Sequence, residues 1–331
     1  MSGSLYQARH EHDSCGFGLI ANLDDRPSAW LVETALVALE RMSHRGAVGA
    51  DGLSGDGCGV LIRKPDAFLR QVAAEAGIAL GTRYAAGNVF LPHDPGVASE
   101  VRTVLSEELA GVGLAIAGWR EVPLVLAECG AQAQGNLPRI EQVFVAAPDA
   151  IEVARFERDL FLARRRAERR LAEVPEFYVV SLSQHALGYK GMVLPAALPR
   201  FFPDLVHPAL SSSVVLFHQR FSTNTAPRWP LAQPFRFLAH NGEINTIEGN
   251  RRWAIARVAK WRTEALDLAE LTPPVSLTGS DSESLDNMLE LLLMGGMDLL
   301  QAMRILIPPT SSSLEHEIGR ASCRERVSLN V

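Results

Sequence analysis

Cys15 stands in the run Asp13-Ser14-Cys15-Gly16-Phe17-Gly18-Leu19-Ile20, at the head of an apolar strand and behind a short polar leader. A lone cysteine at a strand edge is most often a small buried hydrophobe. Removal of the 14 residues before it changes its chemistry. The same residue then carries a thiol nucleophile and a free α-amine, whose reference pKa of about 7.7–8.0 suits proton transfer near neutrality. While Ser14 remains attached, that nitrogen is an amide and no base. The leader Met1 to Ser14 therefore reads as a propeptide whose loss is a condition of the chemistry, and Gly16 and Gly18 fit a strand that ligand backbone approaches closely.

Three segments far downstream bear on Cys15: Arg220-Phe221-Ser222-Thr223, His240-Asn241-Gly242-Glu243-Ile244-Asn245 and Ser280-Asp281-Ser282-Glu283-Ser284-Leu285-Asp286. Taken singly, each has an ordinary reading. An arginine after a strand is usually a surface ion-pair residue, although its guanidinium offers two parallel donors to a carboxylate. Asn-Gly is a common tight turn. Ser280 and Glu283 have the spacing of a capping box that starts a helix.

Together with Cys15, these segments resemble the glutamine-amidotransferase domain that opens the large subunit of glutamate synthase. The likeness runs from Cys15 to about Pro309 and is closest from His218-Gln219-Arg220 through Arg251-Arg252-Trp253. It implies an α+β fold, a four-layer αββα sandwich of the N-terminal nucleophile hydrolase type. It also implies that Cys15 attacks the side-chain amide of L-glutamine and forms a γ-glutamyl thioester. Asn241, through its side-chain NH₂, and Gly242, through its backbone N–H, correspond to the oxyanion hole. Arg220 corresponds to the partner of the substrate α-carboxylate, Thr223 and Ser222 to additional hydroxyl donors, and Asp281 to the partner of the α-ammonium. In the family, ammonia passes to 2-oxoglutarate at an FMN site. That site, an iron–sulfur cluster, and a small NAD(P)H-oxidising subunit or ferredoxin as electron source belong to other segments, so no flavin, cluster or metal is expected on this chain.

Periodicity locates the elements that must position these residues. Residues 16–22 read as a strand, and Ser28 caps a helix over 29–42. A glycine-rich loop follows over 44–59, then a strand over 60–63, a helix from Pro65 toward 76 and a strand over 83–90. Gly55-Asp56-Gly57-Cys58-Gly59 is no P-loop, because it lacks the Gly-Lys-Ser/Thr ending and precedes a strand. The region 92–148 offers a helix over 98–109, a strand over 114–120 and a loop over 128–138. A long helix spans 150–171, and strands over 177–183 and 189–193 read as a hairpin-like pair. Short apolar runs at 214–219 and 234–239 have the look of buried strands, with Asn241-Gly242 as a turn behind the second. Helices over 246–262, 281–293 and 298–307 complete the pattern. Strand blocks between helical blocks argue for two antiparallel sheets with helices outside; the particular sandwich follows from the resemblance.

Composition excludes several classes. Of 331 residues, 47% are hydrophobic and 21% charged, and 32 basic against 38 acidic side chains leave −6. Nothing in that balance points to nucleic acid or an anionic membrane. Arg164 to Arg170 reads as a solvated basic helix face, and Trp229, between Pro227 and Pro230, suits either a mobile rim or packing. The cysteines 15, 58, 129 and 323 show no Cys-x-x-Cys spacing, which fits a reducing, cytoplasmic setting. Past Pro309 the sequence leaves the family pattern, and 311–331 resembles translated sequencing adaptor, so the domain is expected over 15–310. Two rival readings are an N-terminal-cysteine hydrolase of other amides and an unprocessed, non-catalytic fragment.

Overall fold

The computed structural model describes residues 16–148, 150–220 and 225–307. Cys15, Ser222, Thr223, the leader and the expected tail lie outside them.

Strand β1 (Phe17–Ala21) leads to α1 (Ala29–Arg41), whose first turn is capped as expected: Ser28 Oγ accepts from Leu31 N. Next come β2 (Ser54–Arg63), α2 (Asp66–Glu75), β3 (Tyr84–Leu91), α3 (Pro95–Gly111), β4 (Ala115–Glu121), a short α4 (Ala131–Gln134) and β5 (Arg139–Ala146). Helix α5 (Val153–Arg170) precedes β6 (Tyr178–Val179), β7 (Ala186–Val193), a short α6 (Leu198–Phe201) and β8 (Val214–Gln219). The last described part is helical: α7 (Ile247–Val258), α8 (Asp281–Met294) and α9 (Leu299–Leu306). No helix among the described residues is long and apolar enough to cross a membrane.

The strands form two four-stranded sheets, in the orders β1-β8-β2-β7 and β4-β5-β3-β6, with antiparallel pairing throughout. The alternation of β3 explains the layering. Ala86 and Phe90 join Val60, Ile62 and Phe217 of the other sheet in one core cluster. Ala85, Val89 and Leu91 point the other way, into a second cluster with Val101 and Leu105 of α3 and Phe156 and Leu160 of α5. Both faces of β3 are therefore dry. A third cluster joins Phe161 of α5 to Leu285 and Leu289 of α8 and Leu306 of α9.

The pattern differs from the sequence reading in four places. The glycine-rich stretch 54–59 is not loop but the first half of β2. Its glycines are required there: a Cβ on Gly55 would meet Val193 O at 2.4 Å and one on Gly59 would meet Tyr189 O at 2.7 Å. Residues 139–146, to which no element was assigned, form β5, a central strand; its polar Glu141 and Gln142 are buried, the first against Arg102 and the second against Asn88. The expected hairpin over 177–193 is split, since β6 pairs with β3 in one sheet and β7 with β2 in the other. The run 234–239 is no strand: Pro234 has no N–H to give, and Phe235 N bonds to Leu238 O. Asn241-Gly242 consequently turns no hairpin, and Gly242 has no left-handed φ.

The basic run on α5 is solvated only toward its end, where Arg169 and Arg170 are exposed; its start is not. Arg164, 2% exposed, donates to Glu168 Oε1 at 2.6 Å and to Glu290 Oε2 of α8 at 2.5 Å, while Arg236 donates to Val179 O and stands 3.4 Å from the same Glu290. Buried guanidinium groups need such partners, and removing one is costly. Here they lock α8 to α5. Trp229 is packing rather than rim: it is 1% exposed, stacks edge-on against Phe90, and donates from Nε1 to Ala133 O. It lies over Gly191, where a Cβ would come within 2.3 Å of the indole. Gly191→Ala is therefore expected to destabilise the fold by about 1–3 kcal/mol, the usual cost of overpacking; urea unfolding checks this, and an unchanged midpoint contradicts it.

Candidate active site

Strand register builds the floor. On β8, His218 lies opposite Phe17 and Gln219 opposite Cys58, and Gln219 N donates to Gly16 O at 2.6 Å. Gly16, the first described residue and the successor of Cys15, is thereby fixed beside the end of β8. A Cβ on Gly16 would come within 2.9 Å of both Gln219 O and Asn241 Oδ1. Only glycine fits at that approach. Asn241 thus comes to the residue after Cys15 from 225 positions downstream, without any strand pairing of its own.

A pocket of about 90 Å³ opens at this junction, lined by Gly16, Arg220, Gln233, Asn241, Gly242 and Ser282, with Arg45, His218, Gln219, His240 and Glu243 around them. Gln233 clamps the backbone of His240 in both directions, donating to its carbonyl at 3.2 Å and accepting its N–H at 3.1 Å. His218 Nε2 lies 2.9 Å from Asn241 Oδ1 and 3.2 Å from His240 O. Asn241 Nδ2 is buried and has no hydrogen-bond partner among the described residues. A buried donor left unpaired is costly, and one at a pocket wall is suited to an oxygen that gains negative charge.

Burial holds His218 down to about 4, against opposing bonds to Asn241 and to backbone; it also lowers His240, with the charge of Asp281 opposing. Both rings are neutral at neutral pH. Asp56, 7% exposed, is pushed above the ordinary carboxylate range by burial, against a bond from Ala47 and the charge of Arg220.

Arg220 reaches this pocket on a backbone with φ 113°, a region that non-glycine residues rarely adopt and that costs about 1–3 kcal/mol where the surroundings impose it. Its N–H is held by Gly57 O at 2.7 Å. The strain is local to the wall of the pocket. Asp281 sits one residue behind that wall, 1% exposed, at the start of α8. Its Oδ2 accepts from Ile244 N at 2.8 Å and its Oδ1 from Ser282 N at 2.7 Å, so it ties the Asn241 segment to α8. Ser280 Oγ accepts from Glu283 N at 3.0 Å, which supplies the serine half of the expected capping box.

The structure therefore brings Arg220, Asn241 and Gly242 to one pocket and places Asp281 directly behind it, while Cys15 and Thr223 lie outside the described residues. Cys58 offers no second nucleophile: it is 0% exposed, its Sγ donates to Val193 O at 3.2 Å, and burial pushes its thiol far up. Burial likewise pushes Cys129 up to about 11. Among the described residues no group of three or more His, Cys, Asp or Glu is placed to hold a metal ion. Sequence reasoning gave no part to Gln233, which carries no periodic signal, and named His218 only as a member of a motif.

The sequence profile of the class-II glutamine amidotransferases matches residues 15–319, and the chain belongs to that family. Its relatives include a protein named ferredoxin-dependent glutamate synthase 2 from Synechocystis sp., 44% identical over 305 residues, 90% of this chain and 19% of that protein. The glutamate synthase [NADPH] large chain of Azospirillum brasilense is 38% identical over 318 residues, 94% of this chain and 21% of its own length. That of Bacillus subtilis is 37% identical over 308 residues, 92% of this chain and 20% of its own. The chain thus spans about a fifth of the length of these relatives.

The neutral, buried His218 carries a consequence for stability. Its folded pKa of about 4 lies below the ordinary 6.5, so between those values the unfolded chain binds the extra proton and stability falls as pH falls. His218→Gln removes one such group. The pH dependence of its unfolding free energy between about 6.5 and 4 is expected to be shallower than that of the unaltered chain, approaching a difference of about 1.4 kcal/mol per pH unit in mid-window; parallel curves contradict this assignment.

Proposed function

We propose that the chain performs the glutaminase half-reaction of a glutamate synthase, hydrolysing the L-glutamine side-chain amide to glutamate and ammonia. The observation that carries this reading is the buried Asn241 Nδ2 beside Gly16, unpartnered among the described residues. A profile match that begins at Cys15 supports the same choice of nucleophile.

On this reading, residues 1–14 are removed and Cys15 becomes the first residue. Its thiolate attacks the carboxamide carbon, and the tetrahedral oxyanion accepts hydrogen bonds from Asn241 Nδ2 and Gly242 N–H. The N-terminal ammonium returns its proton to the leaving nitrogen, the C–N bond breaks and ammonia departs, leaving a γ-glutamyl thioester. Water then attacks the thioester with the amine as base, and glutamate leaves as the thiol is restored. Arg220 and the Thr223 hydroxyl bind the α-carboxylate. Asp281, buried at the start of α8, provides the counter-charge for the α-ammonium.

The helices α3 and α5 outside one sheet and α1 beside β1 and β8 support the αββα sandwich of the N-terminal nucleophile hydrolases. In the longer protein, ammonia would pass to 2-oxoglutarate in a part that holds FMN and an iron–sulfur cluster, with ferredoxin or an NAD(P)H-oxidising subunit as the electron source.

Cys15→Ala is expected to abolish ammonia release with the far-UV circular dichroism unchanged; retained turnover excludes the mechanism. Asn241→Ala should lower kcat about 10²–10³-fold, the usual effect of losing one oxyanion donor. Asp281→Asn is expected to raise the KM for glutamine, because a buried ammonium loses its counter-charge, and an unchanged KM removes Asp281 from the site.

A further inference from the structure

We propose that His218 is a positioning residue that sets the orientation of the Asn241 amide, so that its NH₂ rather than its oxygen faces the pocket. This role rests on the glutaminase reading above.

The N–H and C=O of His240 cannot exchange roles, and both face Gln233, which is fixed by them: Oε1 toward the N–H, Nε2 toward the carbonyl. His218 Nε2 faces that same carbonyl at 3.2 Å. A carbonyl only accepts, so Nε2 must carry a hydrogen. This determines the ring tautomer without reference to Asn241. The protonated Nε2 lies 2.9 Å from the side-chain amide of Asn241, and a donor there requires that amide to present its oxygen. The amide NH₂ is then left to point elsewhere, and it is this nitrogen that is buried without a partner among the described residues. A reversed amide would set two donors against each other and turn an oxygen toward the site of the oxyanion.

The surroundings keep the arrangement single-valued. His218 is 1% exposed and sits in register between Phe17 of β1 and Gly59 of β2. The groups that act on it are Asn241, the His240 carbonyl and ring, and Arg220 backbone. Burial disfavours the imidazolium, and either protonation state that retains Nε2–H would hold the amide in the same sense. His218 touches no substrate atom in this role and acts only through Asn241.

The test is a kinetic cycle of His218→Leu, His218→Gln, Asn241→Ala and the double variant Asn241→Ala/His218→Leu in the full chain after processing, with the ¹⁵N NMR spectrum of the His218 ring. His218→Leu should lower kcat about 10–100-fold, up to the loss expected of an oxyanion donor, with KM for glutamine nearly unchanged. His218→Gln, which can place an N–H at the Nε2 position, should restore most of that loss. In the Asn241→Ala background the leucine change should cost less than about two-fold, since residues acting as a unit are not additive. Fully multiplicative losses, an effect confined to KM, or a glutamine variant as damaged as the leucine one would overturn the role. Should His218→Leu fail to fold, the ring tautomer decides: protonation at Nε2 alone is expected, and protonation at Nδ1 alone overturns the inference. An unaltered, processed chain that releases no ammonia would instead overturn the glutaminase reading, while the NMR result would still report the hydrogen bond itself.

Discussion

Gly16 has no room for a side chain, because Asn241 Oδ1 and Gln219 O both stand where its Cβ would be. The pairing of β1 with β8 holds Gly16 from one side, and the Asn241 segment closes on it from the other. Contact between two parts of the chain so far apart in sequence fixes where the start of β1 meets the Asn241 side chain. The floor of the pocket is defined by backbone register, and backbone is the least adjustable part of a fold.

The other components converge on keeping the Asn241 segment in place. Asp281 bonds to Ile244 N and so ties that segment to the first turn of α8. Helix α8 is in turn held to α5 by Arg164 and Glu290, with Arg236 beside them. Charges this deeply buried lend little net stability but penalise any arrangement that separates them. They make the position of α8 all-or-none. The strained Arg220, held by Gly57 O, is a second place where the frame imposes a conformation that the residue alone would not choose. A pocket wall of fixed donors needs little reorganisation when charge develops on a bound molecule.

Much of this was legible in the sequence, and for identifiable reasons. Helices α1 and α8 announced themselves through Ser28 and Ser280, whose side chains cap them, and β1 and β8 through apolar runs. That Arg220, Asn241 and Gly242 lie at one pocket with Asp281 behind it was legible because these residue types are improbable together, not because periodicity placed them. What escaped notice was set by tertiary contacts. Strand β5 carries Glu141 and Gln142, and only the presence of Arg102 and Asn88 across the fold makes those polar groups acceptable in a core strand. The glycines of β2 looked like loop because their reason, the close approach of β7 backbone, lies more than 100 residues away. Residues 234–239 had strand composition, but Pro234 and the clamp of Gln233 on His240 decided otherwise. No local signal distinguished Arg164 from a solvated arginine, since its partner Glu290 lies on α8.

The central claim is that Cys15, as the first residue of the mature chain, accepts the γ-glutamyl group of glutamine. Acid-quenched peptide mass mapping of the purified chain, taken during turnover of excess glutamine, tests it most directly. The account predicts a peptide that begins at Cys15 and carries one γ-glutamyl group in thioester linkage. Ammonia release by a chain that still begins at Met1, or a γ-glutamyl group on Cys58 or Cys129 instead, would contradict it.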